Sequence, residues 1–173
     1  MSFFWILLTI VILQRLMELF IARRNEIILK SRGALEFDSN GYKVIVAMHF
    51  AFFLCLVIEK VILQRELSKF WVAFLILFFI AQILRYWAIK SLGIYWNTKV
   101  LVLPNHEIVT KGPYRYLRHP NYFAVIIEIA VIPLIFSCYL TSAVFTVINV
   151  LMLTRRIKIE EDALLKISRG ISF

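Results

Sequence analysis

Charge is scarce in this sequence: 18% of its 173 residues are Asp, Glu, Lys or Arg and 61% are hydrophobic, whereas ordinary soluble domains carry about 25% charged residues. A chain so poor in charge has too little polar surface to cover a core, which excludes a soluble globular domain and points to lipid as the solvent. Cysteine is nearly missing. Cys55, inside an apolar run, and Cys138, in a short turn, have neither the number nor the spacing of a disulfide framework or a metal site. Alternation of apolar and polar residues is also lacking. The apolar runs are continuous, so a barrel is excluded and a helical bundle remains. No basic n-region or small-residue cleavage pattern marks the first apolar segment, which reads as a retained helix rather than a secretory signal. Acidic residues are outnumbered eleven to twenty by Lys and Arg, giving a net charge of +9. The bases are scattered between apolar runs rather than gathered on one face, which argues against nucleic acid as a partner.

Crossing a hydrocarbon core about 30 Å thick takes roughly 20 helical residues. That yardstick predicts an all-α, polytopic membrane bundle of about five transmembrane segments in a single domain, 1–173, with helices near 3–22, 42–63, 70–89, 121–136 and 140–166. Between the third and fourth helices, 90–120 is too polar and too broken by Gly93, Pro104, Gly112 and Pro113 to cross, and is expected to be an ordered loop. The last two helices should form a hairpin turning near Ser137, after Pro133, and the fifth should run on as an amphipathic extension. Lys and Arg concentrate after the first helix, in 90–120 and in the tail, while the hairpin turn has none. The positive-inside rule then sets the N-terminus outside and the long loop and tail in the cytoplasm.

Intramembrane polar groups are costly and point to partners or wet cavities. Gln14, Arg15, Glu18, His49, Gln82, Arg85 and Glu128 qualify, although any one alone reads equally well as a packing or snorkelling residue. Glu128 has no basic residue adjacent in sequence and needs a partner from another helix, such as Arg85. The densest signal is the run from Asn105 to Tyr122. Arg115, Arg118 and Pro120 precede a helix there, so the helix N-terminus, with unpaired N–H groups and partial positive charge, makes an anion site with His119 and Tyr122 nearby. A second cluster follows the fifth span, where Arg156 and Glu160 stand four apart on one helix face, beside Glu161. Both clusters fall on the same side of the membrane by the charge count and are expected to enclose one cytoplasmic cofactor pocket.

The run Gly-Pro-Tyr-Arg-Tyr-Leu-Arg-His-Pro-Asn-Tyr, from Gly112 to Tyr122, followed by Arg156 and then Glu160-Glu161-x-x-Leu164, resembles the isoprenylcysteine carboxyl methyltransferase family and its phospholipid methyltransferase relatives. The resemblance implies S-adenosylmethionine as cofactor at the cytoplasmic face and a lipophilic small-molecule acceptor reached from the bilayer among membrane lipids. By position it implies cofactor contacts at Lys99, His106, Glu107, Ile108, Val109, Tyr114, His119, Pro120, Asn121, Tyr122 and Glu160, and an acceptor-facing Arg156. Arg118 and Glu128 join Arg156 as candidate catalytic residues, Glu128 or Glu161 serving as a base should the acceptor be a weakly acidic phenol. Two departures bear on the site. Ala124 stands where the family has glycine, and with the sequence ending at Phe173 the pocket is expected to be more open or closed by another chain of an oligomer. Short bacterial relatives lean towards a long-chain pyrone or phenolic polyketide rather than an isoprenylcysteine compound. A nicotinamide-dependent membrane reductase and a non-catalytic lipid-binding or transport protein are the competing readings.

Overall fold

The computed structural model describes residues 2–104 and 109–168, the side chains of 167 and 168 excepted. Five helices dominate: α1 (Ser2–Ser31), α2 (Ser39–Ile62), α3 (Trp71–Leu92), α4 (Pro120–Ile135) and α5 (Tyr139–Ser168). Four of them, all but α4, are long and apolar enough to cross a membrane, and α4 is a shorter apolar helix. Large apolar side chains such as Phe20, Phe50, Phe70 and Ile83 point outward, as expected where the surrounding medium is hydrocarbon. The protein is an integral membrane, all-α bundle.

The chain divides into two compact units. The first holds α1, the stretch from Leu92 through the strands' second member, and the last turns of α5. Here α1 continues beyond the Ala22 boundary set by the hydropathy yardstick, because helix formation does not stop where the apolar run does. Arg23 to Ser31 are mostly good helix formers, and Asn25 gives the extension something to grip, its Nδ2 donating to Trp96 O at 2.8 Å and Gly93 O at 3.1 Å. Asn97 Nδ2 donates to Ala22 O at 2.8 Å. After α1 the chain turns at Gly33, at φ +88°, and two strands pair antiparallel, β1 (Leu35–Phe37) on β2 (Val100–Val102), with Glu36 opposite Leu101. Val100 and Val102 pack with Ala163, Phe37 and Leu164 into a small apolar core. Within α1, Glu18 is buried and takes Gln14 Nε2 at 2.9 Å and Arg15 Nη1 at 2.8 Å, so three of the intramembrane polar residues satisfy one another one turn apart.

The second unit holds α2, most of α3, α4 and α5 up to Lys158. Its α4–α5 turn is tighter than the polar run suggests. Pro133 stays inside the last turn of α4, Ser137 takes a left-handed conformation at φ +55°, and Cys138 N donates back to Pro133 O and Ser137 N to Leu134 O, closing the helix end in a Schellman motif. Thr141 and Ser142 are buried in α5. Ser142 Oγ donates to Ala130 O at 2.7 Å, stapling the hairpin. Glu59 of α2, also buried, accepts from Thr141 N at 2.7 Å, Thr141 Oγ1 at 2.6 Å and Leu140 N at 3.3 Å. A carboxylate thus caps the first turn of α5, where amide N–H groups lack intrahelical partners and the helix dipole favours negative charge. Phe52 of α2 meets Phe145 of α5 edge to face at 5.6 Å.

Candidate functional site

The segment before α4 is positioned by a glycine. Gly112 adopts φ +64°, and a Cβ there would lie 2.0 Å from Ser91 Oγ and 3.1 Å from Trp87 Nε1, so only glycine lets the loop press on the end of α3. A short 3₁₀ turn, Gly112–Arg115, follows, with Pro113 buried and Tyr114 half-buried. Arg115, Tyr116, Leu117 and Arg118 are exposed. Pro120 then opens α4 at the position where a missing N–H costs nothing, and His119 before it makes no side-chain cap hydrogen bond.

Three side chains converge at this helix start. His119 and Tyr122 stack with ring centroids 5.3 Å apart and planes 9° from parallel. Arg156, only 5% exposed, donates from Nε to Tyr122 Oη at 3.0 Å. Its guanidinium carbon also lies over the Tyr122 ring, 5.7 Å from the centroid, so the hydrogen bond and the ring face both hold the guanidinium. Beside them Asn121 Oδ1 is buried without a hydrogen-bond partner. A buried amide oxygen left unmet is unfavourable and suits an incoming donor. An α4 N-terminus without a side-chain cap suits an incoming carboxylate. The amino and carboxylate groups of S-adenosylmethionine offer both, so the residues present fit that cofactor.

Glu128 lies 1% exposed on α4, with one carboxylate oxygen taken by Gln82 Nε2 and the other by Arg85 Nη2 of α3. Arg85 is the partner the sequence asked for. With both oxygens committed in the interior, Glu128 joins α3 to α4.

In the other unit Lys99, expected among the cofactor contacts, belongs to a four-membered ion network. Its Nζ lies 2.8 Å from Glu26 and 3.2 Å from Glu36, while Lys30 Nζ lies 2.7 Å and 2.6 Å from the same two carboxylates. Hydrogen bonding to Glu26 raises the Lys99 pKa against the opposing effect of burial, with Glu36 adding to the rise. Hydrogen bonding to Lys30 holds the Glu36 carboxyl below its usual range. The network ties α1 to β1 and the start of β2. The part of it made by Lys99 is hidden in the sequence because Lys99 lies 73 and 63 residues from its two carboxylates. Glu160 and Glu161 are half-buried near the end of α5, and Val109 is half-buried in the loop. His106, Glu107 and Ile108 lie outside the described residues.

The sequence model of the isoprenylcysteine carboxyl methyltransferase family matches residues 73–166, which include all of α4 and every residue of the His119–Tyr122–Arg156 cluster. The chain is 45% identical over 161 residues to the uncharacterized protein YpbQ of Bacillus subtilis, covering 93% of this chain and 96% of that one. A Haemophilus influenzae protein, also described as uncharacterized, is 32% identical over 154 residues, covering 87% and 88%. No solved structure matches the chain.

Proposed function

Because this chain belongs to the isoprenylcysteine carboxyl methyltransferase family, we propose that it transfers a methyl group from S-adenosylmethionine to an oxygen of an amphipathic, lipid-like acceptor, a carboxylate or acidic hydroxyl. The observation that carries this reading is a nearly buried arginine, Arg156, oriented by Tyr122 next to an uncapped helix N-terminus and the unmet oxygen of Asn121. His119, Asn121 and Tyr122, with Tyr114 and Val109 from the preceding loop, are the described residues that would hold the cofactor.

Bound S-adenosylmethionine supplies a methyl already activated on a sulfonium, so the protein's share is alignment. Arg156 holds the acceptor's oxyanion through a planar fork of donors, and the phenol of Tyr122 keeps that fork from swinging. Fixing the acceptor oxygen in line with the reacting methyl is an entropic contribution that can reach about 7–11 kcal/mol in well-oriented systems. A carboxylate or acidic enol is ionised at neutral pH and needs no base, which agrees with the commitment of Glu128 to Arg85 and Gln82.

Labelled S-adenosylmethionine should bind the purified protein in detergent and be displaced by its demethylated product. Displacement by NADPH instead would replace this reading with a reductase, and label appearing in a host lipid extract would identify the acceptor. Family correspondence assigns Glu160 to the cofactor. Glu160→Ala is therefore expected to weaken S-adenosylmethionine binding by about tenfold or more, the scale of one charge-assisted hydrogen bond, and Glu161→Ala much less. If both carboxylates serve only to solvate α5, both variants will bind like the parent.

The charge distribution supports an orientation with the N-terminus outside and the cluster facing the cytoplasm. Lys111 is exposed in the long loop, so a Lys111→Cys variant should resist an impermeant thiol reagent in intact cells and react once they are opened. Reaction in intact cells would reverse the orientation.

A further inference from the structure

Asn149 sits in the span formed by α5, 1% exposed, and neither its amide nitrogen nor its carbonyl oxygen meets a hydrogen-bond partner. Thr146 Oγ1, one turn earlier, is likewise buried and unmet. Other intramembrane polar groups of the same unit close on partners: Gln82 and Arg85 on Glu128, Thr141 on Glu59, Ser142 on Ala130 O. A carboxamide with both ends unmet is a costly choice for the interior of a membrane protein, where a leucine of similar size would pack without penalty.

Its position on the helix gives the choice a direction. Asn149 precedes Arg156 by seven residues, almost two turns, so the two side chains leave nearly the same side of α5 about 10 Å apart along its axis. One turn the other way, Phe145 lines a mostly apolar groove of about 350 Å³ with Ile58, Ile62, Leu63 and Val144, whose lining also includes Glu59 and Thr141. Along one face of α5 there are thus a cation, a neutral donor–acceptor pair and an apolar space, in that order.

We propose that Asn149, with Thr146, is a hydrogen-bonding subsite for an uncharged polar group, a hydroxyl or carbonyl, within the tail of a long-chain acidic amphiphile. Its anionic head is at Arg156 and its far end reaches the groove beside Phe145. The inference rests on the acceptor role proposed for Arg156. A hydroxyl both donates and accepts and so answers both ends of the carboxamide, whereas a purely hydrocarbon tail leaves them unmet. The subsite therefore discriminates between tails of equal length.

Equilibrium binding to the full-length protein in detergent, without cofactor, tests this with two labelled probes: octadecanoic acid and octadecanoic acid bearing a mid-chain hydroxyl. The parent should bind the hydroxylated probe about tenfold tighter. Asn149→Leu should abolish that preference while binding of the plain acid changes little. Asn149→Val serves as a second variant, and a parent-like melting temperature for either shows that the fold is kept. Equal binding of the two probes by the parent, which would mean that Asn149 holds only a trapped water, overturns the proposal. So does a preference that survives in Asn149→Leu, or failure of both probes to bind. Arg156→Gln should weaken both probes alike with their ratio kept. A preference lost in Asn149→Leu in a protein that transfers no methyl group would remove the proposed reaction and leave this subsite standing.

Discussion

Arg156→Lys is expected to lower methyl transfer to the lipid acceptor by about a hundredfold while S-adenosylmethionine affinity stays within a few-fold of the parent. Removing one preorganised donor from a site that holds an oxyanion costs about 10²–10³ in turnover in well-studied cases. Lysine keeps the charge but loses the fork. In this protein it also loses the Nε donor that reaches Tyr122 Oη at 3.0 Å, and an ammonium is a more strongly hydrated point charge that a nearly dry position suits poorly. Tyr122→Phe removes the same hydrogen bond from the other side and should lower turnover in the same direction, by less, because the guanidinium remains. Affinity and rate measured on one preparation decide the matter. Loss of cofactor binding with an unaltered rate at saturating cofactor would move Arg156 from the acceptor to the cofactor.

Glu128→Ala should be among the most destabilising single substitutions in the chain, by about 3–5 kcal/mol, because it leaves the Arg85 guanidinium buried and unbalanced. Arg85 and Glu128 are each 1% exposed, and Gln82 has its amide directed at the same carboxylate. Replacing both partners with apolar residues, Arg85→Met with Glu128→Leu, should recover much of the loss, since the penalty lies in the unpaired charge rather than in the absence of the pair. Thermal unfolding in detergent reads both variants. A Glu128→Ala protein that melts like the parent would show that Arg85 draws its balance from elsewhere.

These two expectations differ in how far sequence alone could reach them. Glu128 stood out because a carboxylate well inside an apolar run must be answered, and Arg85 was an available answer in the preceding span. Arg156 and the run from Gly112 to Tyr122 stood out through their motif. The contact between Tyr122 and Arg156 did not, since 34 residues separate them and neither side chain announces its partner. Membrane spans were legible because hydropathy measures what lipid demands. The continuation of α1 to Ser31 was not, because hydropathy marks where the apolar run ends rather than where the helix does, and the carbonyls of Gly93 and Trp96 that meet Asn25 lie 68 and 71 residues away. The three-residue strands were hidden for a related reason. Leu35–Phe37 and Val100–Val102 are too short to show a period of two, and each is a strand only because the other is there. The motif groups Arg118 with His119 and Tyr122, but a motif does not state burial: Arg118 is exposed while the other two are half-buried.

The carboxylate of Glu59 has a bearing beyond its own helix. The α4–α5 hairpin is the last part of the chain in sequence order. Its own residues staple it through Ser142 and Ala130, but the amides of Leu140 and Thr141 are met by a side chain from α2. The first turn of α5 is therefore satisfied only when α2 is packed against it, so a change at Glu59 is felt at the hairpin as well as in its own helix.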